Sequence, residues 1–291
     1  MTVEVGTMSA AGIAALLAGF ILVRPRFQAA SGAGRLLVLG PVFEAVALAI
    51  FAAEHATASR ELATIVPRWL PHPLFWADLF GVGLLAAALS FLAWRYVRWS
   101  APLLALQFLL IVVLIDLPIL PRHLHDRIFW TLLFRETCFE GGAMVLAGSV
   151  LAGAARSALL RIGRLIVALI MIFYGIEHFL FPHNVSGVPL EKITPPWMPA
   201  PTLIAYAIGI VLVLAGFGLL IPRTVRISAA GAGLVLLLLT LFFYGAILID
   251  EFHTNPVEGL NYVGDTLLFA ATVLLAGLGA GAAGEPSPQN P

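Results

Sequence analysis

The chain has 291 residues, of which 60% are apolar and 11% charged, with 16 basic and 16 acidic side chains and a formal net charge of zero. Soluble domains carry about 25% charged residues, so the composition excludes a water-soluble core and implies lipid as the solvent. Neutrality implies no polyanionic partner, and no nucleic acid is expected.

A bilayer-crossing helix needs about 20 mostly apolar residues. Nine stretches approach this: 8–24, 35–56, 74–97, 100–120, 129–153, 162–181, 200–221, 226–249 and 261–282, the first and sixth being short. The expected fold is therefore an all-α, polytopic transmembrane bundle of about nine helices, because backbone groups in hydrocarbon are satisfied only within a helix or closed barrel. The first stretch follows Glu4 and no basic residue, and it precedes Arg24 and Arg26. It reads as an anchor helix in region 1–30, not as a signal peptide, which wants a basic start.

Alternating crossings sort the loops. Ten arginines (24, 26, 35, 95, 98, 156, 161, 164, 223 and 226) fall on one side, against Arg60, Arg68, Arg122, Arg127 and Lys192 on the other. The positive-inside rule puts the ten in the cytoplasm. The N-terminus is then outside, and a disordered tail, 284–291, is cytoplasmic. The expected setting is a bacterial inner membrane. All seven histidines (55, 72, 123, 125, 178, 183 and 253) fall on the outer side, with Asp116, Asp126, Asp250, Glu251 and Glu258.

An internal repeat runs through the chain. Pro67, Trp69, Pro71 and Pro73 recur as Pro195, Trp197, Pro199 and Pro201, an offset of 128. Glu54-His55 recurs as Glu177-His178, and Glu136-Thr137 aligns with Asp265-Thr266. The expected organisation is two four-helix repeats, 31–155 and 156–283. An even helix number gives both halves the same topology and a pseudo-twofold axis along the membrane normal.

The stretch Phe173-Tyr-Gly-Ile-Glu-His-Phe-Leu-Phe-Pro182, then Pro195-Pro-Trp-Met-Pro-Ala-Pro201, then Gly216-Phe-Gly-Leu-Leu-Ile-Pro-Arg223 resembles the DoxX-like family. The resemblance covers about 160–280, and 35–150 more faintly through the repeat. It implies four-helix units associated with membrane redox systems, among them the small subunit of thiosulfate:quinone oxidoreductase. It marks His178, and His55 through the repeat. Many relatives carry a glutamate in the helix after the proline loop, where this chain reads Ala207-Ile-Gly-Ile-Val-Leu212.

Three constellations hold candidate chemistry. The paired Glu54-His55 and Glu177-His178 bring imidazoles that bind metals or titrate near neutral pH; facing each other, the two histidines would suit a metal, a haem or a quinone oxygen, with Trp69 and Trp197 at the rim. Adding His123, Asp250 and His253 gives a ring of oxygen and nitrogen donors for a transition metal. Neither HExxH nor CxxC spacing occurs.

The third constellation is charge inside spans: Glu44, Asp78, Arg135, Glu136, Glu140 and Asp265. Such groups normally face a bundle interior or a pathway. Of these, Glu44, Arg135, Glu136, Glu140 and Asp265 are the catalytic candidates. Cys138 is the one cysteine, so an internal disulfide or a dithiol pair is excluded, and redox chemistry would rest on a quinone, a haem or a metal. The leading expectation is a membrane redox-associated protein handling a quinone or metal centre at its outer face. A proton-coupled transporter, and a subunit or assembly factor packed on a redox enzyme or larger membrane complex, remain open beside it.

Overall fold

The computed structural model describes residues 2–184, 186–187 and 192–280. Among them it is all-helical, with no strand beyond one bridge between Asn184 and Ile193. Nine long helices follow in order: α1 (Val3–Ala29), α2 (Gly40–Leu62), α3 (Pro73–Ala93), α4 (Val97–Ile111), α5 (Arg127–Val150), α6 (Gly153–Leu180), α7 (Pro201–Leu220), α8 (Val225–Leu239) and α9 (Pro256–Ala276). Two helices extend further. α4 runs on through a π-helical turn, Val112–Asp116, and α8 through Thr240–Tyr244 and Gly245–Glu251.

Eight of the nine are long and apolar enough to cross a membrane. The exception is α5, which carries Arg127, Arg135, Glu136 and Glu140, yet it packs inside the bundle against α4, α6 and α9. The chain is thus an integral membrane protein with lipid as its expected partner.

Several helix ends differ from the hydropathy reading. The first and sixth helices, expected to be short, run 27 and 28 residues. Arginines that hydropathy assigned to loops stay helical, because long basic side chains bury their stems and reach the interface. Arg164, just inside the expected sixth span, ties α6 to α9. Its Nε donates to Ala276 O and its Nη2 to Leu278 O, both at 3.1 Å, capping the end of α9. α9 begins at Pro256 rather than 261, since proline suits a first helical turn. Asp78, counted among interior charges, is exposed near the start of α3. The tail at 284–291 lies outside the described residues.

Neighbouring helices pack in chain order from α2 to α5 and again from α6 to α9, with α1 laid against α2. Between the two sets α2 meets α9, α5 meets α6, and α5 meets α9. The sets also share local geometry. Pro73 and Pro201, 128 apart, each open a helix after a left-handed residue, His72 at φ 55° and Ala200 at φ 45°. α4 and α8 begin at Val97 and Val225, and their π-helical turns at Val112 and Thr240, again 128 apart. Proline disfavours the right-handed helical region for the residue before it, so both loops must turn sharply where they do.

Glycine sets the closest helix crossings. A Cβ on Gly163 of α6 would stand 2.4 Å from the Gly141 carbonyl of α5, and one on Gly209 of α7 would stand 2.9 Å from the Gly175 carbonyl of α6. Backbone cannot step aside as a side chain can, so these contacts fix interhelical distance. Gly163→Val is expected to lower the thermal midpoint of the detergent-purified protein, at a cost of about 1–3 kcal/mol for overpacking. Gly231→Ala, where a Cβ meets nothing within 4 Å, is expected to leave it unchanged.

Candidate functional site

The polar interior is organised by α5 and α9. Arg135 lies eight residues into α5 and Asp265 nine residues into α9, so both sit about 12–14 Å along their helices. Arg135 Nη1 donates to Asp265 at 2.7 Å, and its Nη2 and Nε donate to Glu136 at 2.8 and 3.3 Å. All three side chains are less than one-fifth exposed. One guanidinium thus holds two carboxylates, using the planar fork that suits arginine to this role.

Two cavities adjoin this triad. The first, about 570 Å³, has a polar wall of Glu54, Asn255, Glu258, Asn261, Arg135, Glu136 and Asp265, floored by Leu48, Phe51 and Phe139. The second, about 580 Å³, is mainly apolar, lined by Val66, Leu70, Trp76, Leu103, Leu106 and Leu110 among others, with Gln107 and Asp116 as polar exceptions. His55, Leu62, Phe80, Ile111, Arg135 and Glu136 wall both. α2 contributes Leu62 beyond a break in its helical geometry at Ala58.

His55 stands at the junction. Its Nδ1 lies 2.8 Å from Ala77 O and its ring leans on Phe80. A carbonyl only accepts, so Nδ1 carries the proton and Nε2 of the neutral ring is left as an acceptor. Gly81 permits this placement, since a Cβ there would stand 2.4 Å from His55 Cβ. Glu54 accepts Asn261 Nδ2–H at 2.8 Å, tying α2 to α9 across the polar cavity. Above it, Lys192 pairs with Glu251 and Glu258 and lies over the Tyr262 ring.

Other candidates lie elsewhere. His178 is fully buried, its Nδ1 at 2.6 Å from Tyr174 O and its Nε2 accepting Gly187 N–H at 2.9 Å. Both ring nitrogens are occupied, and His178 lines neither cavity, so it does not join His55 in one ligand pair. Glu177 pairs with Arg127 at 3.3 Å. His123 stacks on Phe129 beside Asp126, and His253 stands edge-on to Phe252. Asp250 accepts the Trp197 indole N–H, while Trp69 is largely exposed. No group of three or more His, Cys, Asp or Glu among the described residues is placed to hold a metal ion. Among the described residues the expected donor ring of Glu54, His55, His123, Glu177, His178, Asp250 and His253 is therefore not gathered into one metal-holding group.

Glu44 and Glu140 are buried and line neither cavity. Glu44 is wholly inaccessible, and neither of its carboxyl oxygens has a hydrogen-bond partner. Sequence reasoning passed over Asn261 and Gln107. Each is an amide inside a mostly apolar span, and that is the signal that marks it.

A polytopic helical membrane protein with an ion-paired interior and an adjoining polar and apolar cavity is what these features define. Residues 159–245, from within α6 to the turn after α8, match the DoxX family model. Searches of curated proteins and of solved structures return no match.

The helix carrying Arg135 and Glu136 is capped by Asp126, which accepts Phe129 N–H at 3.3 Å and Ile128 N–H at 3.0 Å. The Phe129 bond first, and then His123 and Ile128, hold this carboxyl below its ordinary range. A depressed carboxyl contributes stability above its unfolded value, lost as pH falls through the folded value. Acidification below about pH 4 is therefore expected to loosen the first turn of α5, read by hydrogen exchange at Ile128 and Phe129. Asp126→Asn should keep the cap and lose that acid-dependent step.

Proposed function

We propose that this chain is a membrane redox-associated protein that takes a long-tailed quinone into the paired cavities. The observation that carries the reading is the shared wall of His55, Arg135 and Glu136 between a polar chamber and an apolar slot of similar size. Binding pockets are typically apolar with a few placed polar groups, and an amphiphile with a compact polar ring and an isoprenoid tail matches that division. The slot residues Leu103, Leu106 and Leu110 would take the tail. Arg135, whose guanidinium keeps two N–H beyond its three bonds to Glu136 and Asp265, and Gln107, whose amide keeps one beyond its bond to Phe80 O, would donate to the ring oxygens. A quinone bound there supplies two-electron, two-proton chemistry. The DoxX match over 159–245 agrees with a redox setting.

Further parts of the reading rest on pattern. The matching helix starts, the paired π-helical turns and the reciprocal α2–α9 and α5–α6 contacts support two four-helix repeats about a pseudo-twofold axis. The arginine count supports an outer, extracytoplasmic position for the histidine-bearing end and a cytoplasmic C-terminus. Electrons would come from or go to a partner redox enzyme. A proton-coupled carrier is the second reading. Glu44 favours it, as a buried carboxyl without a partner on the same α2 face as His55.

Quinone titration into nanodisc-held protein, followed by quenching of Trp76, tests the first reading. Saturable quenching is expected, with Leu110→Trp weakening binding at least tenfold, about 1.4 kcal/mol, and Trp76→Phe removing the saturable component over the background of the remaining tryptophans. Unsaturable quenching, or binding indifferent to Leu110→Trp, would overturn it. Proton flux in liposomes that disappears in Glu44→Gln would favour the carrier instead.

A further inference from the structure

Charge is divided unevenly between the two ends of the bundle. The end opposite the histidines carries ten arginines (24, 26, 35, 95, 98, 156, 161, 164, 223 and 226). Its helix ends and turns hold no acid among the described residues apart from Glu44, which is wholly buried.

The α3–α4 turn at that end reads Trp94-Arg95-Tyr96-Val-Arg98-Trp99, and three guanidiniums gather on its rings. Arg26 of α1 lies 4.1 Å from the Trp94 ring centroid, Arg98 5.4 Å from that of Trp99 and Arg95 5.8 Å from that of Tyr96. Among the described residues none of the three pairs with a carboxylate. A ring supplies no lone-pair acceptor, so their N–H donors stay available for an oxyanion. The turn itself is fixed. Trp94 and Tyr96 are left-handed, at φ 51° and 63°, a conformation that residues with a Cβ rarely adopt. Buried Ser90 holds it: its Oγ donates to Arg95 O and lies 2.6 Å from Ser100 Oγ, and its carbonyl accepts Arg95 N–H at 3.0 Å.

The α7–α8 turn supplies a contrast. Arg223 and Arg226 repeat Arg95 and Arg98 at the offset of 128, but Pro222, Thr224 and Ile227 stand where the rings are. We propose that the α3–α4 turn, with Arg26, binds the phosphate of an anionic phospholipid. Its rings mark the headgroup level, as interfacial Trp and Tyr do. Leu85 and Leu89 of α3, below the turn, are exposed to receive an acyl chain. The unpaired positive charge selects phosphatidylglycerol over phosphatidylcholine, whose choline cation finds no carboxylate there. None of these residues lines either cavity, so the site stands apart from the quinone reading.

Native mass spectrometry of the detergent-purified chain, equilibrated with equimolar dioleoyl phosphatidylglycerol and dioleoyl phosphatidylcholine, tests it. Retained phosphatidylglycerol is expected to exceed phosphatidylcholine about tenfold, the ratio that one charge-assisted hydrogen bond confers. Arg95→Gln with Arg98→Gln is expected to bring the ratio near unity, and Trp99→Leu to lower it. Arg223→Gln with Arg226→Gln removes equal charge and is expected to leave the ratio unchanged. Equal retention of the two lipids by the unaltered chain overturns the proposal, as does a ratio unmoved by both the first pair and Trp99→Leu. An equal fall in the two arginine pairs also overturns it, because diffuse charge and not a site would then explain the preference. Inorganic phosphate raising the thermal midpoint as much as phosphatidylglycerol does would overturn the lipid assignment.

Discussion

A guanidinium held between two carboxylates inside a lipid-facing bundle is the constraint on which the rest depends. A charged side chain at the centre of a membrane costs roughly 2.5–3.5 kcal/mol on insertion scales, so Arg135, Glu136 and Asp265 tolerate burial only together. Their pairing dictates where α5 and α9 meet. Close glycine crossings bring α6 against α5, and α2 closes on α9 through Glu54 and Asn261. The polar chamber adjoining the triad is what remains between these fixed helices, while the apolar slot opens on the outer side of α4, where Leu103, Leu106 and Leu110 are exposed. The polar chamber therefore follows from one ionic contact and the packing that it compels.

Lipid on the outside makes the interior easier to interpret. Leucine and phenylalanine face outward along α3, α4, α7 and α8, so hydrophobicity does not mark the core as it does in water. What marks it is small residues at crossings and polar side chains with named partners. Lys192 of the α6–α7 loop, pairing with Glu251 and Glu258, shows the same economy at the rim. It neutralises acids at the mouth of a chamber whose walls are already rich in them.

Much of this was legible in the sequence, and the parts that were not share a cause. Long apolar runs gave nine helices and their order, since only helix satisfies backbone in hydrocarbon. Their ends were less legible, because arginines such as Arg156 and Arg161 lie outside the stretch 162–181 but sit in α6. Interior charges on α5 and α9 announced a site. Which histidine takes part was hidden. His55 and His178 stand in the same Glu-His pair, yet His178 has both nitrogens bonded, while His55 keeps one for the cavity. That difference depends on Gly187, which approaches His178 from the loop after α6, and sequence spacing does not encode such an approach.

The coupling between Arg135 and Asp265 is the most direct test of this account, through a double-mutant cycle on thermal or denaturant unfolding with Arg135→Gln, Asp265→Asn and the pair. The two side chains come from helices in different halves of the chain, so their coupling reports the junction itself. The account predicts that each single change is destabilising, by about 3–5 kcal/mol where a buried charge is left unmatched, and that the double variant recovers at least about 1.5 kcal/mol of the summed loss. Additivity within about 0.5 kcal/mol would contradict it, because two groups that do not meet have nothing to lose twice.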